Sequence, residues 1–427
     1  MLTVFIEELE EGFAEYIQPT SELFLSLIDY SATDQIRDTV AHSLPVCLKS
    51  LIKASPQDRE NHIKYANVYM QSLFKAMDSE TITDTMVSQV LATKSIIKQL
   101  GQFMDEQTVN QMCQKLLNVI KVSDRRKELN VNYTAENENG EDEIDIQNRA
   151  FMEEENKIED ELQLAISETF GSLFMTHQDH CGLLVKTLFD ELLPVYLGDG
   201  AQFIKKKFAL FVIVDLIEHL GLGRIDENQF AGCFSTLLTY SKDSNPVLRQ
   251  ACNYGFGIIA RVGGTHFQQY SNEILEALRH SIEMSLGTQD KDTYNHARDN
   301  AISSLGKVLE TQSAVLADPV ATFDYFVTTL PIEHDNEEAK EMNEFLANAL
   351  TQDSKIVLGE NFERLPKIMD ILGKQLIEEY MNPDTQNKFR AFFSQISSTN
   401  PDLAALVQSE FAKLPEIAQS RFQSVLA

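Results

Sequence analysis

The chain has 427 residues, with 36 basic and 65 acidic side chains and a formal net charge of −29. So acidic a protein is excluded as a general binder of phosphate backbones, and its field favours basic partners. With 43% hydrophobic and 24% charged residues it is too apolar for wholesale disorder, and too long for one ordinary core unless it is an elongated repeat array.

Read from the start, Met1 to Glu11 holds four glutamates and no basic residue, unlike a secretory leader. The most apolar run, Phe208 to Ile217, is broken by Asp215 and is far short of a bilayer span. No membrane contact is expected. The five cysteines (Cys47, Cys113, Cys181, Cys233 and Cys252) are odd in number, scattered and free of any Cys-x-x-Cys pair. Neither a disulfide framework nor a zinc knuckle follows, and a reducing compartment is the simplest setting.

Apolar residues recur at helical spacing almost everywhere, as Val247, Leu248, Ala251, Cys252, Gly255, Ile258, Ile259 and Val262 show. A longer period lies over this one. Phe170-Gly171, Phe256-Gly257 and Leu305-Gly306 each mark the middle of a helix, 86 and 49 residues apart. An aspartate sits six residues before a base at Asp199/Lys205, Asp243/Arg249 and Asp292/Arg298, and Arg37, Val40 and Leu44 match the second half of that pattern. A two-helix unit of about 40 to 47 residues is the spacing of HEAT repeats. Each pair has a face it cannot bury alone, so neighbours stack and share a core. The glycine lets adjacent helices approach, and Asp199, Lys205, Asp243, Arg249, Asp292 and Arg298 form a structural ladder in which the acid also caps the second helix.

The rhythm breaks at residues 130–161. Glu136 to Glu161 carries twelve acids against Arg149 and Lys157, which predicts a solvated, mobile insertion or an acidic arm for basic ligands. The fold class expected is therefore all-α: a HEAT-repeat superhelical solenoid of antiparallel helix pairs, with repeats over 1–129 and 162–427 and one acidic insertion.

No catalytic constellation stands out, so an enzyme, a cofactor and a metal are not expected. Gly255-Phe-Gly257-Ile-Ile-Ala260 fits the letters of a dinucleotide fingerprint, but lies inside a helix with no strand before it. His177, His180 and Cys181 form a candidate ligand cluster without a second half, and a polar loop is the simpler reading. Lys205-Lys206-Lys207 at a helix start reads as a solvated edge plus one ladder cation.

Four ordered blocks carry a resemblance: Asn245–Gly264 (NPVLRQACNYGFGIIARVGG), Ala297–Lys307 (ARDNAISSLGK), Leu330–Ala339 (LPIEHDNEEA) and Ile356–Ile368 (IVLGENFERLPKI). In order and spacing they are similar to the last repeats of the importin-beta (karyopherin-beta) superfamily of nuclear transport receptors, importin-beta-3 type, and the acidic insertion falls where that family carries a charged loop. Phe323, Tyr325 and Phe326 occupy a region where the family usually has tryptophan, and the chain contains none. Such receptors are more than twice this length, so the chain resembles their C-terminal half. The resemblance implies shuttling between cytoplasm and nucleus, basic protein cargo held on the second helices, and Phe-Gly nucleoporins bound in grooves between first helices. It implies Ran GTPase as a partner only with amino-terminal repeats that have no counterpart here. Asp215, Glu218 and Asp299, on predicted second helices, are the candidate cargo contacts. The alternative is a HEAT scaffold that organises an enzyme such as a phosphatase, with no transport role.

Overall fold

The computed structural model describes residues 2–136, 143–284 and 292–426, and among them every regular element is helical. The chain forms two compact units, Met1–Ile225 and Asp226–Ala427. The first holds α1 (Leu2–Leu9), α2 (Ile17–Leu27), α3 (Asp34–Ala54), α4 (Arg59–Ser79), α5 (Thr83–Leu100), α6 (Glu106–Glu136), α7 (Glu143–Thr176), α8 (Gly182–Thr187), α9 (Leu193–Tyr196) and α10 (Phe203–His219). The second holds α11 (Glu227–Tyr240), α12 (Pro246–Val262), α13 (Ser271–Met284), α14 (Asp292–Gln312), α15 (Pro319–Thr329), α16 (Asn336–Gln352), α17 (Ser354–Leu358), α18 (Leu365–Gln375), α19 (Pro383–Thr399), α20 (Pro401–Phe411) and α21 (Glu416–Leu426).

Local chemistry starts these helices where the sequence places turns. Asn245 accepts a hydrogen bond from the Val247 amide at 2.9 Å, and Pro246 fills a first-turn position that needs no N–H donor. Asp318 before Pro319 and Asn400 before Pro401 repeat the device at α15 and α20. The helix α12 then buries Leu248, Ala251, Cys252, Phe256 and Ile259 on one side, as the periodicity requires.

Within each unit the second helix of every pair packs on the second helix of the next. The rows run α3, α5, α7, α10 in the first unit and α12, α14, α16, α19 in the second, a HEAT-type stack. Glycines set the spacing of these rows. A Cβ on Gly171 of α7 would collide with the carboxylate of Asp215 on α10. One on Gly257 would lie 2.6 Å from Ser304 Oγ and 2.9 Å from Lys307 Cδ, both on α14, and one on Gly306 would strike Met342 of α16. The three aromatic- or leucine-glycine pairs thus mark contacts between successive second helices.

Residues 130–136 and 143–161, placed in the expected insertion, are helical. The helix α6 continues to Glu136 and α7 begins at Glu143, giving helices of 31 and 34 residues; residues 137–142 lie outside the described ones. The acids explain the order. Glu159 forms a two-pronged pair with Arg126 at 2.5 and 3.1 Å, Asp160 pairs with Lys127, and Asn130 donates to Asn156. Two adjacent carboxylates of α7 thus meet two adjacent bases of α6, while Glu153, Glu154 and Glu161 stay exposed.

Glycine substitutions separate contact from propensity. Gly257→Val forces a branched side chain against α14 and is expected to cost about 1–3 kcal/mol. Gly232 in α11 has nothing near its missing Cβ, so Gly232→Ala is expected to stabilise by about 0.5–1 kcal/mol. Urea unfolding of both variants checks the pair.

Candidate functional site

Most of α10 is buried, including Phe208, Ala209, Val212, Ile213, Leu216 and Ile217. The acids and histidine of its last turns, Asp215, Glu218 and His219, are spaced i, i+3, i+4 and so share one side of the helix. One donor atom from each lies within 4.8 Å of the others. Burial pushes the Asp215 carboxyl up to about 7; the Glu218 charge adds to the rise and Lys98 opposes it. Burial also lowers the His219 pKa. The neighbouring second helices contribute Lys98 and Lys94 from α5 and Glu168 from α7, the last two paired with each other. Asp215 and Glu218 therefore meet on one polar patch with His219.

Asp299 is placed otherwise. It is 0% exposed, and its Oδ2 accepts the backbone N–H groups of Glu333 at 3.1 Å and His334 at 2.7 Å. Burial raises its pKa while those two donors and Arg298 oppose the shift. Asp299 fixes the turn before α16 and offers no surface to a ligand, which corrects its selection as a cargo contact.

The ladder residues take partners that the spacing did not name. Lys205 pairs with Asp124 of α6 at 3.1 Å and lies over the Tyr196 ring, while Asp199 is exposed in the preceding turn. Arg249 is buried, donates to the backbone carbonyls of Asp243 and Ser244 at 2.8 and 2.9 Å, and faces the Tyr294 ring. Asp243 accepts from the Asn245 amide, and Asn245 caps α12. Arg298 donates to the Thr329 carbonyl at the end of α15 at 2.7 Å, and Asp292 is the exposed first residue of α14. Arg37 reaches the end of α4 in the same way, gripping Glu80 at 2.8 and 2.9 Å. The arginines Arg37, Arg249 and Arg298 hold turns and helix C-termini, where carbonyls favour a cation. Lys205 instead meets a carboxylate within α6, and the aspartates of the pattern do not cap the second helices.

Two features of the second unit lay outside the sequence reading. Lys307 is buried and pairs with Glu338 at 2.7 Å and Glu341 at 3.0 Å, and Arg261 joins Glu341 to Glu310. An apolar groove of about 680 Å³ opens where α14, α15, α16 and α17 meet, with Phe323 and Phe345 in its wall and Val320 and Ile356 exposed beside them. Phe323, Phe326 and Phe345 form an aromatic cluster with centroids 5.9–6.3 Å apart. Its walls come from four helices, so no local spacing announces it. Exposed valine and isoleucine at helix starts were the available signal.

His177, His180 and Cys181 serve packing. His177 is fully buried, and its Nε2 accepts the amides of Phe103 and Met104 at 3.2 Å each. His180 Nδ1 bonds the Met104 carbonyl at 3.1 Å, and Cys181 donates to the His177 carbonyl. The pair thereby ties the turn after α7 to the start of α6. Burial, helped by His180, holds His177 at about 4. Lys207, third of the lysine run, lies over the Phe211 ring, and burial lowers its pKa.

No family model matches the chain. Human (Homo sapiens) Importin-4 is 21% identical over 238 residues, which are 56% of this chain and 20% of that protein. Mouse (Mus musculus) Importin-4 is 26% identical over 155 residues, or 35% of this chain and 13% of its own length. Among solved structures, Kap121p superimposes with a TM-score of 0.71 at 17% identity, over 100% of this chain and 36% of Kap121p. The chain thus matches a fifth or less of the curated relatives' length.

The pH dependence of stability reports on His177. An imidazole protonating near 6.5 when unfolded and near 4 when folded gives stability that is complete above pH 6.5. That contribution is lost as pH falls towards 4, on the order of 3 kcal/mol in all. His177→Gln is expected to flatten the unfolding free energy between pH 6.5 and 4 relative to the parent chain, as measured by urea titration at several pH values.

Proposed function

We propose that the chain is a member of the importin-beta (karyopherin-beta) superfamily and is the C-terminal, cargo- and nucleoporin-binding portion of a nuclear import receptor; its similarity to Importin-4 and the Kap121p fold support this. The observation that carries this reading is the joint presence of a carboxylate patch on one second-helix row and an aromatic groove among later repeats. Kap121p has been solved bound to Pho4p, to Ste12p, to Nup53p and to RanGTP, so its fold holds several protein partners. For this chain, Asp215 and Glu218 are the proposed contacts for a basic cargo signal, with the acids of α7 as an outlying attraction. Such binding depends on complementary potential and weakens as salt rises. The groove beside Val320 and Ile356 is the proposed seat for a phenylalanine of a Phe-Gly repeat: Phe323 and Phe345 supply aromatic wall, among charged residues that include Glu310 and Arg364.

Transport implies a protein that moves between cytoplasm and nucleus and performs no chemistry of its own. Ran-controlled release is assigned to no residue of this chain.

Two surfaces make two separable tests. On immobilised Phe-Gly repeats, Val320→Asp with Ile356→Asp is expected to reduce retention at least tenfold and leave basic-peptide binding intact. Glu218→Lys is expected to do the reverse, weakening a Lys/Arg-rich peptide several-fold at low salt. Retention of neither ligand above a charge-matched acidic protein would contradict the reading. Co-purification with a stoichiometric enzyme subunit instead would favour a scaffold.

A further inference from the structure

The last turns of α10 hold more donor chemistry than a peptide contact needs. Asp215 and Glu218 offer carboxylate oxygens, His219 offers a ring nitrogen, and the three donor atoms lie within 4.8 Å of one another. Two donors each about 2.1 Å from one cation are at most about 4.2 Å apart, so side-chain rotation alone closes the set. The Asp215 carboxylate is pressed on the bare backbone of Gly171 across the helix contact, which limits its movement and withdraws it from water. Among the described residues, neither this carboxylate nor the His219 ring forms a hydrogen bond or a close ion pair. His219 is also the final residue of α10, where the backbone dipole favours positive charge.

From this arrangement we propose that Asp215, Glu218 and His219 bind one divalent first-row transition-metal ion. Two oxygens and one imidazole nitrogen, with a coordination position left open, match Zn²⁺ and do not match the oxygen-only preference of Mg²⁺ or Ca²⁺. All three ligands come from one helix end, so the ion does not build the fold. It neutralises two carboxylates at the α7–α10 contact and fixes the polar patch. Lys98 and Glu168 are the charged groups that face the cluster from α5 and α7, and Lys98 opposes an incoming cation. The site does not depend on the transport reading. It shares carboxylates with the proposed cargo contact, so metal and a cargo lysine compete there.

The test uses the whole chain, stripped with EDTA and titrated with ZnCl₂ alone by calorimetry, with thermal unfolding in parallel. One saturable site of micromolar or tighter affinity is expected, with a rise in unfolding temperature that MgCl₂ does not reproduce. Glu218→Gln and His219→Gln should each weaken the site at least tenfold. Lys98→Gln should tighten it several-fold, and His180→Gln should leave it unchanged. Circular dichroism checks that each variant folds; should His219→Gln unfold, the opposed effects of Glu218→Gln and Lys98→Gln still decide. Absence of saturable binding below millimolar Zn²⁺ overturns the proposal, as does binding that survives Glu218→Gln and His219→Gln or disappears with His180→Gln. Peptide binding in EDTA without Zn²⁺ binding would sink this proposal and leave the transport reading standing.

Discussion

The close approach of successive second helices is the constraint on which each unit depends. A helix pair buries one side within itself and must lend the other to its neighbour. Gly171, Gly257 and Gly306 stand where that lending is tightest, each with the next helix in the space a side chain would fill. A mid-helix glycine is unfavourable by itself, so its placement follows from the contact it permits. Some polar groups on these rows are positioned by the same spacing. Asp215 is pressed on Gly171, and the Lys307 side chain crosses Gly257 before reaching Glu338 and Glu341.

Charge is used in two ways along the chain. Some carboxylates are taken from water and matched with bases: Glu80 with Arg37, Glu159 with Arg126, Glu338 with Lys307. Buried pairs of this kind add little net stability because both ions lose hydration, and what they fix is which helices meet and in what register. Others, such as Glu153, Glu154 and Glu161 of α7, are exposed to solvent.

Much of this was legible in residues. The helical period, the two-helix repeat and the glycine contacts follow from spacing, since they are properties of one helix and its equivalent one repeat later. That Asp215 and Glu218 lie on a second helix was legible for the same reason. Asp299 was not, because its burial depends on where the loop at Glu333 and His334 passes. The ladder bases were found as positions but not as contacts: a long arginine chooses among carbonyls, rings and carboxylates of neighbouring helices, and sequence distance does not rank them. In the region 130–161 composition counted charges without pairing them, and so did not show that Glu159 and Asp160 meet Arg126 and Lys127, while Glu153, Glu154 and Glu161 are exposed as expected. The aromatic groove, assembled from four helices, has no linear signature.

The proposal that this chain is a working part of a nuclear transport receptor is tested most directly by its partition into a Phe-Gly repeat hydrogel. Fluorescently labelled chain should enter the gel and concentrate there well above the surrounding buffer, while an inert protein of similar size and charge stays outside. Exclusion of the chain to the same degree as that control would contradict the account.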